Sequence, residues 1–210
     1  MKAGDSWLIL GKRGSGKTWF AKDLTRTLQG LYGDELHTYI LDTKMRDFND
    51  WEGIIQTDGE APPLIPKWSR NIGQQIWQPL IEDPEQIERW LFNLRKDAPA
   101  LVLMDEVAVL EYKKGDTSPE YKKLLKLGRG LPISTISLTQ ELVAIPRSII
   151  TQTVHTCRFR LGKMTYDQNL ANRLLNEEVN EPPDKFGFYY SHESNEEPLY
   201  YVDKDDFLFM

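Results

Sequence analysis

Cysteine and long apolar segments are what this sequence most clearly lacks. Its 210 residues include one cysteine, Cys157, so no internal disulfide can form and a cysteine-rich zinc site is excluded. No apolar run approaches the roughly 18 residues that a membrane-spanning helix needs, and no secretory signal pattern is present. We therefore expect a soluble, cytoplasmic protein that does not insert into membranes.

The chain also lacks the positive charge that is typical of nucleic-acid-binding proteins. It has 26 lysines and arginines against 32 carboxylates, a net charge of −6. The acidic excess is concentrated in residues 177–210, which hold ten carboxylates and two lysines. Residues 113–130, by contrast, hold five lysines and Arg129 against Asp116 and Glu120. Bulk charge therefore neither excludes nor supports a DNA partner.

Short apolar segments alternate with helix-compatible segments along the chain, which predicts an α/β fold with a mostly parallel sheet flanked by helices. The predicted strands cover residues 7–10, 38–41, 100–104, 133–138 and 155–161, with an antiparallel pair at 186–190 and 199–202. The predicted helices cover about 16–31, 83–94, 118–128, a short stretch after Pro146, and 165–176. Asp83 and Gln86 fit a capping box. Residues 59–73, rich in proline and glycine, predict an irregular excursion.

A phosphate-binding loop follows the first strand. Residues 11–18 read G-x-x-x-x-G-K-T between an apolar strand and a helix, which is the context that a P-loop requires. Glycines let backbone N–H groups point at phosphate oxygens, and the helix N-terminus adds its dipole. Lys17 is expected to reach the β- and γ-phosphates of ATP, and Thr18 to bind Mg²⁺. The predicted nucleotide-binding residues are Gly11, Lys12, Arg13, Gly14, Ser15, Gly16, Lys17, Thr18 and Trp19.

Two carboxylates follow the strand at 100–104, in the pattern of a Walker B strand. Asp105 is expected to hold the water shell of Mg²⁺, and Glu106 to polarise the attacking water. The alternative interpretation is that one acid caps the next turn and the other is solvated. An Asp-Glu pair favours hydrolysis coupled to motion over phosphoryl transfer to a small acceptor.

The spacing of further elements resembles the FtsK/HerA superfamily of ring-forming, DNA-translocating ATPases, within the RecA-like branch of P-loop NTPases. The matching elements are Asp42-Thr43-Lys44, Gly128-Arg129, Leu138-Thr139-Gln140, Ile145-Pro146 and Thr156–Arg160. The resemblance covers roughly residues 5–162. It implies one RecA-like domain over 1–210, with the motor core at about 5–162 and an acidic helix and β extension over 163–210. A motor core with so little added to it is similar to the packaging ATPases of tailless, membrane-containing DNA viruses, or to minimal translocases on mobile elements. A viral packaging ATPase would be located in the host cytoplasm or with the virion.

The resemblance also implies roles for individual residues. Arg129 looks like an arginine finger that acts on the ATP of a neighbouring subunit, and Gln140 like a polar sensor of water or γ-phosphate. Arg158 or Arg160 could supply a second positive contact at the subunit boundary. The alternative for Arg129 is an ordinary cation at a helix C-terminus, and for Arg158 and Arg160 exposed strand cations. The family implies double-stranded DNA as partner and a homo-oligomeric ring, most simply a hexamer.

The DNA contacts are expected in basic loops. Lys113 and Lys114, beside a predicted Gly-Asp-Thr-Ser loop, could face a central pore, and Lys67 and Arg70 lie in the excursion at 59–73. Solvated surface cations are the alternative for each. For the whole protein, two other functions share the nucleotide core: an ATP-dependent assembly factor that moves protein, and a nucleotide or nucleoside kinase.

Overall fold

The computed structural model describes residues 4–33, 36–51, 54–56, 74–80, 83–97, 99–113, 116–128, 130–162, 165–175, 178–194 and 200–203. At 54–56, 111–113, 143 and 165–167 it describes the backbone alone. The predicted excursion at 59–73 lies outside these ranges.

The strands alternate with helices as expected. They are β1 (Ser6–Leu10), β2 (His37–Leu41), β3 (Ile54–Gln56), β4 (Gln74–Trp77), β5 (Ala100–Met104), β6 (Glu111–Lys113), β7 (Asp116–Thr117), β8 (Ile133–Thr139), β9 (His155–Arg158), β10 (Phe188–His192) and β11 (Tyr200–Val202). Nine of these described strands form one sheet, in the order β11-β10-β9-β1-β8-β5-β2-β4-β3. The seven strands from β9 to β3 in that order are parallel, and β10 and β11 add an antiparallel edge. The predicted mostly parallel α/β fold is confirmed.

Helices cover both faces of this sheet, which explains why its central strands are continuous apolar runs. The helices are α1 (Lys17–Tyr32), α2 (Pro84–Leu94), α3 (Pro119–Leu127), α4 (Arg147–Gln152) and α5 (Thr165–Leu175). The apolar side chains of α1 pack on one face with Phe48 and Trp51. The apolar side chains of α2, α3 and α4 pack on the other face, together with Ala171 of α5.

Several local predictions differ from the structure. Strands β3 and β4 were not expected, because β4 opens with two glutamines and carries no apolar run. Strand β9 ends at Arg158 rather than at residue 161. Asp83 caps α2 by accepting a hydrogen bond from the backbone N of Glu85, but Oε1 of Gln86 is buried without a partner among the described residues, so the predicted capping box does not form. The loop expected around residue 115 is flanked by the paired strands β6 and β7.

The parallel arrangement brings four sequence motifs to one edge of the sheet. Strands β1, β8, β5 and β2 are neighbours, so the segments that follow their carboxyl ends lie side by side. These segments are the P-loop, Gln140, the Asp105–Glu106 pair and the Asp42–Lys44 element. In open α/β sheets, ligands bind at this edge. None of the described helices is long and apolar enough to cross a membrane.

Candidate nucleotide site

The P-loop between β1 and α1 has a backbone that only glycine accommodates at two points. Gly11 has φ of 156°, and a Cβ there would lie 2.7 Å from Cβ of Phe159. Gly16, at the N-terminus of α1, has φ of 102°, and a Cβ there would lie 3.1 Å from Cδ1 of Phe186. Both φ values lie in a region that residues with a Cβ rarely adopt. The two glycines therefore serve the loop's conformation and its close packing.

Lys17 is held inside this loop. Its side chain is buried, and its Nζ donates a hydrogen bond to the backbone oxygen of Lys12 at 2.9 Å. Burial, together with the positive charge of Lys44, lowers the pKa of Lys17 to about 8, while Glu106, Asp105 and Asp47 oppose the shift. An added anion would stabilise the charged form of this buried ammonium, because a phosphate would supply the charge compensation that solvent does not.

Asp105 lies at the end of β5, and Lys44 approaches it from the neighbouring strand end. Nζ of Lys44 is 2.9 Å from Oδ2 of Asp105 and 4.0 Å from Oε2 of Glu106. Burial raises the pKa of Asp105 to about 6, with Asp47 and Asp42 adding to the rise and Lys44 opposing it. Lys44 therefore compensates part of the negative charge that the two Walker B carboxylates place at this edge.

The structure brings Glu106 and Gln140 together, although 33 residues separate them in sequence. The backbone N of Gln140 donates to Oε2 of Glu106 at 3.3 Å, which fixes one carboxylate oxygen. The other oxygen, Oε1, is buried and has no hydrogen-bond partner among the described residues. Its hydrogen-bonding capacity is therefore not used by the described residues.

A cavity of about 360 Å³ opens over the P-loop. Its lining combines residues that the sequence predicted with others that it did not: Arg13, Gly14, Gly16, Lys17, Thr18, Trp19, Lys44, Arg46, Asp47, Gln140 and Phe186. Lys44, Arg46, Asp47 and Phe186 were not among the predicted site residues. The signal for the first three was present, because the Asp42–Lys44 element follows a strand whose carboxyl end meets the P-loop edge. Nothing local marked Phe186.

The loop that presents Lys44 is shaped by Asp42. This carboxylate is fully buried, and its Oδ2 accepts hydrogen bonds from Nε2 of Gln78 at 2.8 Å and from the backbone N of Phe48 at 3.3 Å. Asp42 therefore ties the start of the loop to its end and to the residue that follows β4. Its role in the structure is to position Lys44, Arg46 and Asp47 at the cavity.

The residues at the cavity fit a magnesium ion. Mg²⁺ in phosphate sites prefers hard oxygen ligands and takes one or two from the protein. Thr18 lines the cavity, and Oδ1 of Asp105 is buried without a hydrogen-bond partner among the described residues. In the described part of the chain, no group of three or more His, Cys, Asp or Glu side chains is placed to hold a metal, which a site with one protein carboxylate does not require.

Arg158 and Arg160 are engaged within their own chain. Arg158 is buried, donating from Nη1 to the backbone oxygen of Asn180 at 2.9 Å, with its Nη2 3.3 Å from Oε1 of Glu181. Nε of Arg160 donates to the backbone oxygen of Pro182 at 2.8 Å. These contacts give both arginines a structural role within the chain, and the predicted contact at a subunit boundary stays a prediction.

Several predicted residues lie outside the described ranges. These are Arg129, Lys67, Arg70 and Lys114. For Lys113, at the end of β6, only the backbone is described. The lysines that follow are partly neutralised, because Lys122 pairs with Asp116 and Lys123 pairs with Glu120 at 2.6 Å. Two of the lysines of this segment are therefore paired with the two carboxylates that the sequence places among them.

Comparison with known proteins gives structural matches only. No protein-family model and no curated protein matches the chain. The crystal structure of B204, the DNA-packaging ATPase from Sulfolobus turreted icosahedral virus, is similar with a TM-score of 0.73 at 12% identity, covering 97% of this chain and 98% of that chain. The genome-packaging NTPase B204 from Sulfolobus turreted icosahedral virus 2, in complex with sulfate, gives 0.74 at 13% identity with the same coverage.

A third similar structure comes from a conjugation system. It is the pCW3 conjugation coupling protein TcpA in its monomer form with ATPγS, with a TM-score of 0.64 at 14% identity. The match covers 97% of this chain and 62% of that chain. At these identities the likeness concerns the fold. The chain therefore has the RecA-like P-loop fold of these DNA-packaging and conjugation-coupling proteins, as its resemblance to the FtsK/HerA superfamily implied.

Proposed function

We propose that this protein hydrolyses ATP and uses the free energy to move double-stranded DNA, working as a homo-oligomeric ring, most simply a hexamer. The observation that carries the proposal is the arrangement at one edge of the sheet. Lys17, Lys44 and Gln140 line a cavity of about 360 Å³, and Asp105 and Glu106 contact Lys44 and Gln140 from beside it. The proteins with similar structures are described as DNA-packaging and conjugation-coupling proteins, which supports DNA as the partner.

Each residue has a distinct part in the proposed hydrolysis. P-loop N–H groups and the Lys17 ammonium bind the β- and γ-phosphates, and Thr18 and Asp105 hold Mg²⁺. When bound, Mg²⁺ neutralises charge on the phosphate oxygens. Glu106 orients a water through its unpartnered Oε1 and takes its proton as the water oxygen attacks the γ-phosphorus and ADP leaves. The backbone N of Gln140 donates a hydrogen bond to Glu106, so a shift of Glu106 as it binds the water would be transmitted to the end of β8.

The test is the ATP turnover of the purified protein with and without linear duplex DNA. We expect Mg²⁺-dependent turnover that rises several-fold with duplex DNA, with Glu106→Gln as the control for contaminating ATPases. An ATP turnover rate that is the same with and without duplex DNA would contradict the translocase and favour the ATP-dependent assembly factor. Phosphate transfer to a nucleoside or nucleotide in place of water would favour the kinase.

A further inference from the structure

The acidic C-terminal extension returns to the P-loop through residues 180–186, which we call the strap. The strap begins where Arg158 binds Asn180 and Glu181, and continues where Arg160 binds Pro182. Oε2 of Glu181 also accepts a hydrogen bond from the backbone N of Leu161 at 2.9 Å. Two consecutive prolines, at 182 and 183, restrict the backbone between these anchors and the P-loop. Hydrogen bonds and an ion pair therefore fix the strap to the end of β9 and to the residues that follow it.

The strap ends at Phe186, whose ring lies against the P-loop. Cδ1 of Phe186 would be 3.1 Å from a Cβ on Gly16, so the ring packs directly on the glycine at the start of α1. Phe186 nevertheless remains 39% exposed and lines the nucleotide cavity. Trp19, in the first turn of α1, is 44% exposed and lines the same cavity. Two partly exposed aromatic rings thus converge on one cavity.

The cavity accordingly has two chemically different parts. Lys17, Lys44 and the P-loop glycines provide cationic and N–H groups, and Trp19 and Phe186 provide aromatic faces. A nucleoside triphosphate has the same division, with an anionic chain at one end and a flat π system at the other. The volume of about 360 Å³ falls within the usual range of small-molecule sites, roughly 300–1,000 Å³.

We propose that Phe186 and Trp19 form the nucleobase subsite of this protein, with Arg158 and Arg160 as the positioning residues that hold the strap in place. The proposal rests on the proposed nucleotide-binding function and adds to it a base-binding role for the C-terminal extension. The base is held by its faces, because aromatic stacking accepts any π system. GTP is therefore expected to respond to loss of Phe186 in the same way as ATP.

The test compares the affinities of ATP and of inorganic tripolyphosphate, which has the phosphates but no base, by calorimetry in the presence of Mg²⁺. Phe186→Ala is expected to weaken ATP binding by about 5- to 100-fold, the range that loss of one base–aromatic stack produces, and to leave tripolyphosphate binding unchanged. Phe186→Tyr should retain ATP binding. Tyr200→Ala, which removes another exposed aromatic of the C-terminal extension outside the cavity lining, is the matched control and should change neither affinity.

The positioning role has its own variant. Arg160→Ala removes the anchor at Pro182 and should weaken ATP binding selectively, with partial recovery in Arg160→Lys, because an ammonium can still donate to the same carbonyl. A purely structural role for Arg160 would lower the melting temperature while leaving the ratio of the ATP and tripolyphosphate affinities unchanged.

The outcomes separate the subsite from the function on which it rests. Equal weakening of ATP and tripolyphosphate in Phe186→Ala, or no weakening of either, would overturn the base subsite while leaving the phosphate site standing. Failure of the wild-type protein to bind both compounds would overturn the nucleotide site and the subsite together.

Discussion

At the scale of single residues, the cavity edge balances opposite charges in a buried setting. Lys17 and Lys44 face Asp47, Asp105 and Glu106, and burial shifts the pKa of Lys17 down to about 8 and that of Asp105 up to about 6. Both shifts disfavour the charged forms that the proposed function needs. A bound anion would stabilise the charged form of Lys17, and a bound divalent cation would stabilise the charged form of Asp105. Ligand binding would therefore also compensate the buried charges.

Lys17→Ala and Glu106→Gln should separate binding from hydrolysis. Lys17→Ala removes a charge-assisted contact worth roughly 1.5–3 kcal/mol and should weaken ATP binding about tenfold or more and abolish turnover. Glu106→Gln keeps the shape of the side chain but cannot take the proton, so ATP binding should persist while turnover falls by about 10²–10⁴. Calorimetry and phosphate release measure the two effects. Turnover of Glu106→Gln equal to wild type would remove Glu106 from the mechanism.

His155 provides a pH-dependent contribution to stability at the opposite end of β1 from the P-loop. Its ring stacks on Trp7 at a centroid distance of 3.9 Å, Nε2 lies 3.1 Å from Oδ2 of Asp5, and Nδ1 lies 2.8 Å from the hydroxyl of Tyr190. Burial lowers the pKa of His155 below its ordinary value, although Asp5 opposes the shift and the nearby His192 adds to it. The unfolded chain therefore binds a proton more readily than the folded one.

Stability should consequently rise as the pH increases through the range below 6.5, the ordinary pKa of histidine, and the contribution should be lost as the pH falls. Melting temperatures at pH 5, 6, 7 and 8 measure this slope. His155→Gln is expected to flatten it between pH 5 and 7, and His192→Gln, which removes a less buried imidazole of the same cluster, should retain most of it. An unchanged slope in His155→Gln would assign the pH dependence to other groups.

At the scale of elements, the basic segment after the Walker B carboxylates is a hairpin followed by a helix. A 3-10 turn over Val107–Leu110 connects Glu106 to β6, and the backbone N of Ser118, just before α3, donates to the oxygen of Leu110 at 2.7 Å. This short, anchored connection could transmit a change at Glu106 to the hairpin. Lys122 and Lys123 pair with acids of their own segment, which weakens both as candidates for DNA contact.

Replacing Lys113 and Lys114 together by alanine should weaken duplex DNA binding and reduce the slope of log affinity against log salt by roughly 1 to 2, since each phosphate contact contributes about 0.9. Turnover without DNA should be unaffected. Lys122→Ala with Lys123→Ala is the control with the same loss of formal charge, and it should change the slope less, because both lysines are already paired. A slope unchanged in Lys113→Ala with Lys114→Ala would move the DNA contact elsewhere, with Lys67 and Arg70 next.

Across the molecule as a whole, the strap joins the antiparallel edge of the sheet to the P-loop and to the candidate nucleotide cavity. Strands β10 and β11 extend the sheet beyond β9, and the strap crosses from this extension to the P-loop. Because Arg158 and Arg160 contact the strap of their own chain, we propose Arg129, which follows α3 in the sequence, as the arginine finger of the ring. A finger supplied by a neighbouring subunit makes hydrolysis depend on assembly.

Arg129→Ala should bind ATP normally but hydrolyse it about 10³–10⁵ times more slowly, the range known for arginine fingers. Turnover of the wild-type protein should rise steeply with protein concentration as rings assemble. Mixing Lys17→Ala with Arg129→Ala should partly restore turnover, because some interfaces then join an intact P-loop to an intact finger. Full activity of Arg129→Ala at concentrations where only monomers exist would contradict both the trans finger and the hexamer.

The alternation of the main strands and helices, the P-loop and the Walker B pair could be predicted from the amino-acid sequence alone. These features depend on local periodicity and on fixed spacings, so short stretches of sequence are enough to predict them. The two strands of the large sheet that were missed, β3 and β4, show the limit of this kind of signal, because β4 opens with two glutamines and its pairing partners lie in other segments.

Which side chains meet at the candidate nucleotide cavity depends on the three-dimensional packing of the strands. Lys44 reaches Asp105 because β2 and β5 are adjacent in the sheet, although 60 residues separate the two side chains in sequence. Phe186 lies against Gly16 at the end of a strap that Arg158 and Arg160 contact, although 169 residues separate the phenylalanine and the glycine in sequence. Strand order and long-range ion pairs are set by the packing of the whole sheet, and no spacing along the chain encodes them.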